Sequence, residues 1–294
     1  MESRKRSVAL LGATSLVGEC LLPLLTQPGW RVVAFSRQPR ESVDNGVEWR
    51  VISPSRPASL PQGESGVKYW ICVAPIWVLP DYFGLLEAYG VRRVVALSST
   101  SLFTKDDSSD LAEQAVAQRL TDGEEQLQEW AEKNGIEWVI LRPTLIYGRG
   151  RDKNIAEIAR FARRFGFFPL LGKADGLRQP IHSEDVAAAC ISALKSPKVV
   201  NRAYNISGGE TLTYREMVLR VFASLHRRPR VVTIPLAAFR LALVCLRLLP
   251  RYRHWSVAMA ERMNRDLVFG HSDAERDLGF SPRPFRLTPE DVAR

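Results

Sequence analysis

The first half of the chain alternates short, continuous apolar runs with longer segments whose apolar residues recur every three or four positions. The apolar runs predict strands over 7–11, 31–35, 47–52, 69–74, 91–97 and 138–141. Most are unbroken Val/Ile/Leu/Ala, as a parallel sheet buried on both faces requires; a strand with one wet face would alternate instead. The helix-period segments fall between them, over 17–25, 79–89 and 109–134. Strand and helix in regular alternation predict an α/β fold, a doubly wound parallel sheet with helices on both faces.

After Pro143 the rhythm changes. Helices are predicted over 154–164, 183–194 and 214–225, interleaved with short extended pieces at 179–182 and 203–206. This predicts two units: residues 1–150 carrying the main sheet, and 151–294 forming a smaller mixed α/β lobe with segments that return to the sheet. The Pro-, Ser- and Gly-rich stretch 54–65 reads as a surface connection.

One local motif carries chemistry. Gly12-Ala-Thr-Ser-Leu-Val-Gly18 stands directly between the first predicted strand and the first helix. Gly12 permits a tight turn, Gly18 permits close packing of helix on strand, and the helix N-terminus offers backbone N–H groups to a pyrophosphate. Ser15 stands where the middle glycine of such a turn would be. The expected cofactor contacts are Gly12, Thr14, Ser15, Leu16, Val17 and Gly18, joined by Ala74, Ser98 and Pro143 at the ends of later strands. The fold class becomes a Rossmann-like sheet with a C-terminal substrate or interaction lobe. The second strand ends at Ser36-Arg37, with Arg40 close behind, where an NAD-binding chain would place an acid for the ribose hydroxyls. A hydroxyl and two guanidiniums suit a 2′-phosphate, which favours NADP over NAD; the plainer alternative is a solvated arginine pair on a loop.

From Gly12 to about Phe285 the chain resembles the extended and atypical short-chain dehydrogenase/reductases, in their NAD-dependent epimerase/dehydratase branch. The glycine turn, Leu97-Ser98-Ser99-Thr100, Leu141-Arg142-Pro143 with Tyr147-Gly148, Arg178-Gln-Pro-Ile-His182-Ser-Glu-Asp185-Val186, and Tyr204-Asn-Ile-Ser-Gly-Gly209 with Thr213 occur in the family's order. The resemblance implies that Thr100 hydrogen-bonds a substrate hydroxyl or carbonyl. It also implies that Arg178 contacts a substrate diphosphate, and that His182 and Asp185 are structural.

The chain departs from the family at its catalytic pair, a Tyr with a Lys one helical turn later, followed after another turn by a Glu. Counted back from Arg142, the Glu falls at Glu124, the Lys position at Leu120 and the Tyr position at Val116. Neither Val nor Leu transfers a proton. Tyr147, just after the sixth strand, is the remaining candidate near the cleft, against the plainer reading of a packed core tyrosine. Two functions follow. One is an NADP-dependent oxidoreductase or sugar-nucleotide-modifying enzyme of the epimerase/dehydratase type, acting on a nucleotide-linked or phosphorylated small molecule. The other is a non-catalytic NADP-binding sensor or accessory subunit of a membrane-associated assembly.

Composition narrows the rest. The 294 residues are 46% apolar and 25% charged, which excludes a disordered chain and a disulfide-stapled miniprotein. The four cysteines, Cys20, Cys72, Cys190 and Cys245, show no metal spacing, so no metal is expected and a reducing, cytoplasmic setting is. The net charge of +9 is local: no acidic residue lies between Glu216 and Glu261, while eight arginines do. Inside that stretch 236–249 is almost wholly apolar, too short to span a bilayer, with Arg240, Arg247 and Arg251 on one helical face. The segment 236–253 is therefore read as a contact with a membrane surface or a protein, the alternative being a helix packed into the lobe or an interface. No nucleic-acid module accompanies the charge, and none is expected as a partner.

Overall fold

The computed structural model describes residues 6–27, 30–41, 46–52, 66–106, 108–239 and 257–293. The segments 54–65 and 240–253, on which two of the readings above fall, lie outside them.

Six parallel strands, β1 (Arg6–Leu11), β2 (Trp30–Ser36), β3 (Val47–Val51), β4 (Tyr69–Cys72), β5 (Arg93–Leu97) and β6 (Glu137–Pro143), come from the first half of the chain. Between them run α1 (Leu16–Leu25), α2 (Phe83–Ala88) and α3 (Leu111–Lys133). The second half supplies β7 (Ile146–Tyr147), α4 (Ile155–Phe165), β8 (Phe168–Leu171), β9 (Leu177–Arg178), β10 (Ile181–His182), α5 (Ser183–Lys195) and β11 (Arg202–Ile206). It continues with β12 (Leu212–Thr213), α6 (Tyr214–Ser224), β13 (Val231–Ile234), α7 (Val257–Asn264) and α8 (Ser272–Leu278).

The main sheet is ordered β11-β6-β5-β4-β1-β2-β3, parallel throughout. Its strands are apolar on both sides because both sides are covered. Val8, Leu10, Ile71, Val95, Val139 and Leu141 pack against α1, α5 and α8. Ala9, Leu11, Trp70, Val94, Ala96 and Ile140 pack against α2 and α3. The alternation of side chains along each strand sorts them between these two layers. A third cluster, built on Tyr147, Ile158, Leu170, Met217, Phe222 and Phe285, forms the core of the C-terminal lobe.

Two departures from the predicted elements have physical causes. The helix expected over 79–89 is broken into 3-10 turns at Ile76–Val78 and Pro80–Tyr82, and regular α-helix begins only at Phe83. Pro80 lacks a backbone N–H and can only open a helix. The parallel pair β8–β13 joins two four-residue strands some 60 positions apart, too short for periodicity to reveal.

Arg93 shows how the sheet manages a buried charge. Its guanidinium donates to the carbonyls of Ala193 (2.8 Å) and Ser196 (2.6 Å) at the end of α5 and ion-pairs with Glu137 at 2.9 Å. A cation on the last carbonyls of a helix also meets the negative end of its dipole.

Candidate functional site

The strand order reverses between β4 and β1, and the crevice at their C-terminal ends is where open α/β sheets take ligands. The glycine turn lies there. Gly12 has φ +86°, and a Cβ on it would stand 2.6 Å from Ala74 N. A Cβ on Gly18 would stand 2.3 Å from Gly12 O. Both glycines are therefore required by contact, one for turn and strand, the other for turn and helix. Ser15 has extended backbone (φ −74°, ψ 166°) and caps α1, its hydroxyl accepting the Gly18 N–H at 3.0 Å. Serine thus serves as the helix cap here, a role the missing glycine could not fill as well. The first-turn N–H groups of Leu16 and Val17 lie beyond the reach of any intrahelical acceptor. Thr14, Ser15 and Leu16 are half-buried and Val17 is buried.

Glu19 in that first turn would oppose an anion, but it ion-pairs with Arg151. Arg151 belongs to the loop after β7, whose backbone is fixed by Asp291 accepting the Arg149 N–H at 3.1 Å. The sequence marks Arg151 only as a basic residue four positions after Tyr147, with no sign of its pairing with Glu19.

At the end of β2 the Ser36 hydroxyl accepts the Gln38 N–H at 3.2 Å. Arg37 is exposed and lies near Tyr82. Burial and Asp81 push that phenol's pKa up, and the Arg37 charge pulls against them. Arg40 is exposed with its guanidinium 5.4 Å from the centre of the Trp49 ring, a cation–π contact.

The ends of β5, β6 and β11 bring Ser98, Arg142 and Asn205 to one face of the sheet. Asn205 is in register with Arg142, and Ser98 follows the Leu97–Leu141 pair. Arg142 Nε donates to both carboxylate oxygens of Glu124, at 2.9 and 3.1 Å, and its guanidinium lies 5.3 Å from the Phe103 ring centre. Ser98 Oγ and Asn205 Oδ1 are buried with no hydrogen-bond partner among the described residues. Such orphaned atoms are uncommon and mark a place for a further polar group. Thr100 is buried and donates to the Pro143 carbonyl at 3.2 Å. Glycine cradle, unpaired first-turn amides and orphaned Ser98 Oγ together fit a dinucleotide lying across the crevice.

The residues one and two turns before Glu124 on α3 are Leu120 and Val116, both apolar. Leu120 is 3% exposed in the cluster under the helix, and Val116 packs partly buried against it. Between the Thr100–Phe103 turn and the N-terminal half of α3 lies a cavity of about 620 Å³, lined by Leu102, Phe103, Asp106, Gln114, Gln118 and Thr121 among others.

Two predicted site residues are corrected. Tyr147 is fully buried, edge-on to His182 and Phe285 with ring centres 5.1 and 5.0 Å away. Its hydroxyl donates to the Arg286 carbonyl at 3.4 Å, and burial raises its pKa far above that of a free phenol. It is a core tyrosine, not a proton donor at the cleft. Arg178 is 4% exposed and donates to the carbonyls of Leu177 (2.7 Å), Arg265 (2.8 Å) and Arg262. Burial lowers its pKa to about 10. It closes the C-terminal end of α7, with both terminal nitrogens given to backbone carbonyls.

His182 and Asp185 are structural. The His182 ring accepts the Glu184 N–H at the start of α5 and lies 3.2 Å from Asp291 on its other nitrogen. Asp185 accepts from Arg283 N–H at 3.0 Å and Nε at 2.9 Å. Burial works against the Asp291 charge, but hydrogen bonds from His182, from Thr288 and from the Arg149 N–H prevail and hold its pKa at about 2. Among the described residues no group of His, Cys, Asp and Glu could hold a metal ion, and Cys20, Cys72 and Cys190 are buried thiols. No described helix is long and apolar enough to cross a membrane.

A parallel sheet with a glycine turn at its switch point defines a Rossmann-type protein. Residues 83–207 match the model of the NAD dependent epimerase/dehydratase family. It is 23% identical over 266 residues to a UDP-glucose 4-epimerase of Vibrio cholerae, covering 80% of this chain and 81% of that one. It is 30% identical over 100 residues, 34% of this chain and 25% of the other, to the Arabidopsis thaliana mitochondrial NADH dehydrogenase [ubiquinone] 1 alpha subcomplex subunit 9. The structure of MoeE5 in complex with UDP-glucose and NAD superposes with a TM-score of 0.68 at 21% identity, over 98% of this chain and 96% of that one. A further relative, the y4nG protein of Sinorhizobium fredii, is matched over 50% of its length, so the chain spans about half of it.

Proposed function

We propose that the chain is a dinucleotide-binding protein that holds NADP in preference to NAD and does not run the family's usual tyrosine–lysine chemistry. The observation that carries this is the burial of Leu120 with Val116 one turn before it, where the relay would stand. Leu16 and Val17 amides would hold the pyrophosphate, Ser36 and Arg37 the 2′-phosphate, and Ser98 the nicotinamide half. When bound, the nicotinamide supplies hydride donor or acceptor capacity. The residues of this chain supply binding and orientation: Thr100 spends its hydroxyl proton on Pro143 and is left with acceptor capacity only. The likeness to a respiratory NADH dehydrogenase subunit over 100 residues agrees with a structural or sensing role.

A second reading is favoured by one observation, the cavity beside the Thr100–Phe103 turn. It is of a size to take a small molecule, and it supports an enzyme that draws its proton from solvent or substrate. One experiment separates the two. NADPH binding measured by fluorescence, followed by exchange of labelled hydride across a panel of sugar nucleotides and carbonyl compounds, is expected to show binding without exchange. Exchange with any substrate would establish the second reading, and no binding of either nicotinamide would remove both.

A further inference from the structure

Two surface segments distant in sequence meet at one edge of the C-terminal lobe. The β8–β13 pair sets Phe168 beside Val231 and Pro169 beside Val232. The Arg227 guanidinium donates to the carbonyls of Ala162 (3.1 Å) and Arg163 (3.0 Å) at the end of α4. The last turn of α4, the 166–169 corner and residues 226–232 thus form one surface.

Its chemistry is narrow. Residues 158–174 are apolar, glycine, proline or basic only, and 226–232 add His226 to that set; no Asp or Glu lies between Glu157 and Asp175 or between Glu216 and Glu261. Phe165 is 50% exposed, Phe167 36% and Val232 49%, with Arg164, Arg228 and Arg230 exposed among them. The rings are held in place. Phe161 lies 4.6 Å from Phe165 and 5.8 Å from Phe167, ring centre to ring centre, and the Arg164 guanidinium stands over Phe165 at 5.4 Å. Gly166, at φ +76°, ends the helix and turns Phe167 outward.

Large rings fixed in water lose free energy that burial would recover. A specific protein or nucleic-acid site would add neutral hydrogen-bonding side chains and acids to the charge, whereas here only His226 and, at the margin, Thr233 accompany the arginines. Aromatic and aliphatic groups ringed by guanidiniums match the headgroup–acyl boundary of an anionic bilayer. We infer that this surface docks on anionic lipid, with Phe165 and Phe167 entering the boundary and the arginines meeting phosphates. The inference stands apart from the dinucleotide reading and from the segment 236–253.

The test is flotation of the full chain with neutral phosphatidylcholine vesicles and with vesicles containing about one quarter phosphatidylglycerol. Salt-sensitive binding to the anionic vesicles alone is expected, reduced about tenfold or more by F165S/F167S with an unchanged melting temperature. R228A/R230A is expected to weaken binding and flatten its salt dependence. Failure of the unmodified chain to float with anionic vesicles would overturn the inference. So would equal flotation of F165S/F167S, which would assign binding to another surface. Binding of single-stranded RNA, weakened by the same substitutions and without vesicle binding, would replace lipid by nucleic acid.

Discussion

Glu124 and Arg142 lock α3 to the sheet through a two-point ion pair, Arg142 Nε lying 2.9 and 3.1 Å from the two carboxylate oxygens. Glu124 is buried, so the pair fixes the rotation of the helix and with it which residues face the cleft. The residues one and two turns earlier on α3 are Leu120 and Val116.

Glu124→Ala leaves the Arg142 guanidinium, mostly shielded from water, without its counter-charge. The expected loss is about 3 kcal/mol, the usual order for breaking a buried pair from one side. Glu124→Gln keeps a hydrogen-bond acceptor and should lose less. Urea unfolding of both, with Arg142→Ala and the double variant to complete a cycle, gives the coupling energy.

Arg178→Ala should destabilise the fold by about 2–4 kcal/mol while leaving nucleotide binding as it was. Its donors satisfy carbonyls of Leu177, Arg262 and Arg265 that alanine would abandon inside the lobe. Arg178→Lys should recover only part of the loss, because an ammonium lacks the fork that spans two of these carbonyls. Melting curves and NADPH titration of the same samples check both halves. A normal melting temperature with weakened binding of a nucleotide diphosphate would return Arg178 to the cleft.

Asp291 makes acid stability measurable. Its folded pKa, about 2, lies below the ordinary 3.8. The unfolded chain therefore binds the proton more readily, and stability from this group is complete above about pH 4 and lost as pH falls toward 2. The size is about 2–3 kcal/mol by the same linkage. Asp291→Asn should lower stability at neutral pH by that order and flatten the pH dependence between 4 and 2, read from urea midpoints across that range.

How far the sequence spoke can be judged residue by residue. Strands such as Val32–Phe35 were legible because burial on both faces leaves a continuous apolar run. Gly12 and Gly18 were legible because close backbone contact leaves glycine no substitute. The place of Glu124 on α3 was legible because helix spacing is rigid and Arg142 gave a fixed origin. Arg178 was misread because its role is set by carbonyls 84 and 87 positions away on and after α7. Tyr147 was misread for the same reason, since Phe285 and His182 enclose it from distant segments. The pairing of Arg151 went unread because only the fold brings it to Glu19. Local pattern reports an element and its exposed face; it does not report which distant group a polar side chain will meet.

The charged half of the proposed preference for NADP is one exposed side chain, Arg37, and is correspondingly easy to test. Arg37 follows the last residue of β2, and among the described residues its charge acts on Tyr82, whereas Arg40 stacks on the Trp49 ring. A guanidinium facing a 2′-phosphate is a charge-assisted interaction of about 1.5–3 kcal/mol, or roughly ten- to a hundredfold in affinity. Arg37→Ala should therefore weaken NADPH by about that factor and leave NADH unchanged, whereas Arg40→Ala should change NADPH affinity much less. Gly18→Ala serves as the positive control, because its methyl would drive into Gly12 O and Ala13 and should abolish binding of both nucleotides. Titrations of the three variants with each nucleotide give six affinities. Equal losses for NADPH and NADH on Arg37→Ala would mean that the residue serves the shared adenosine half, and the preference for NADP would fall.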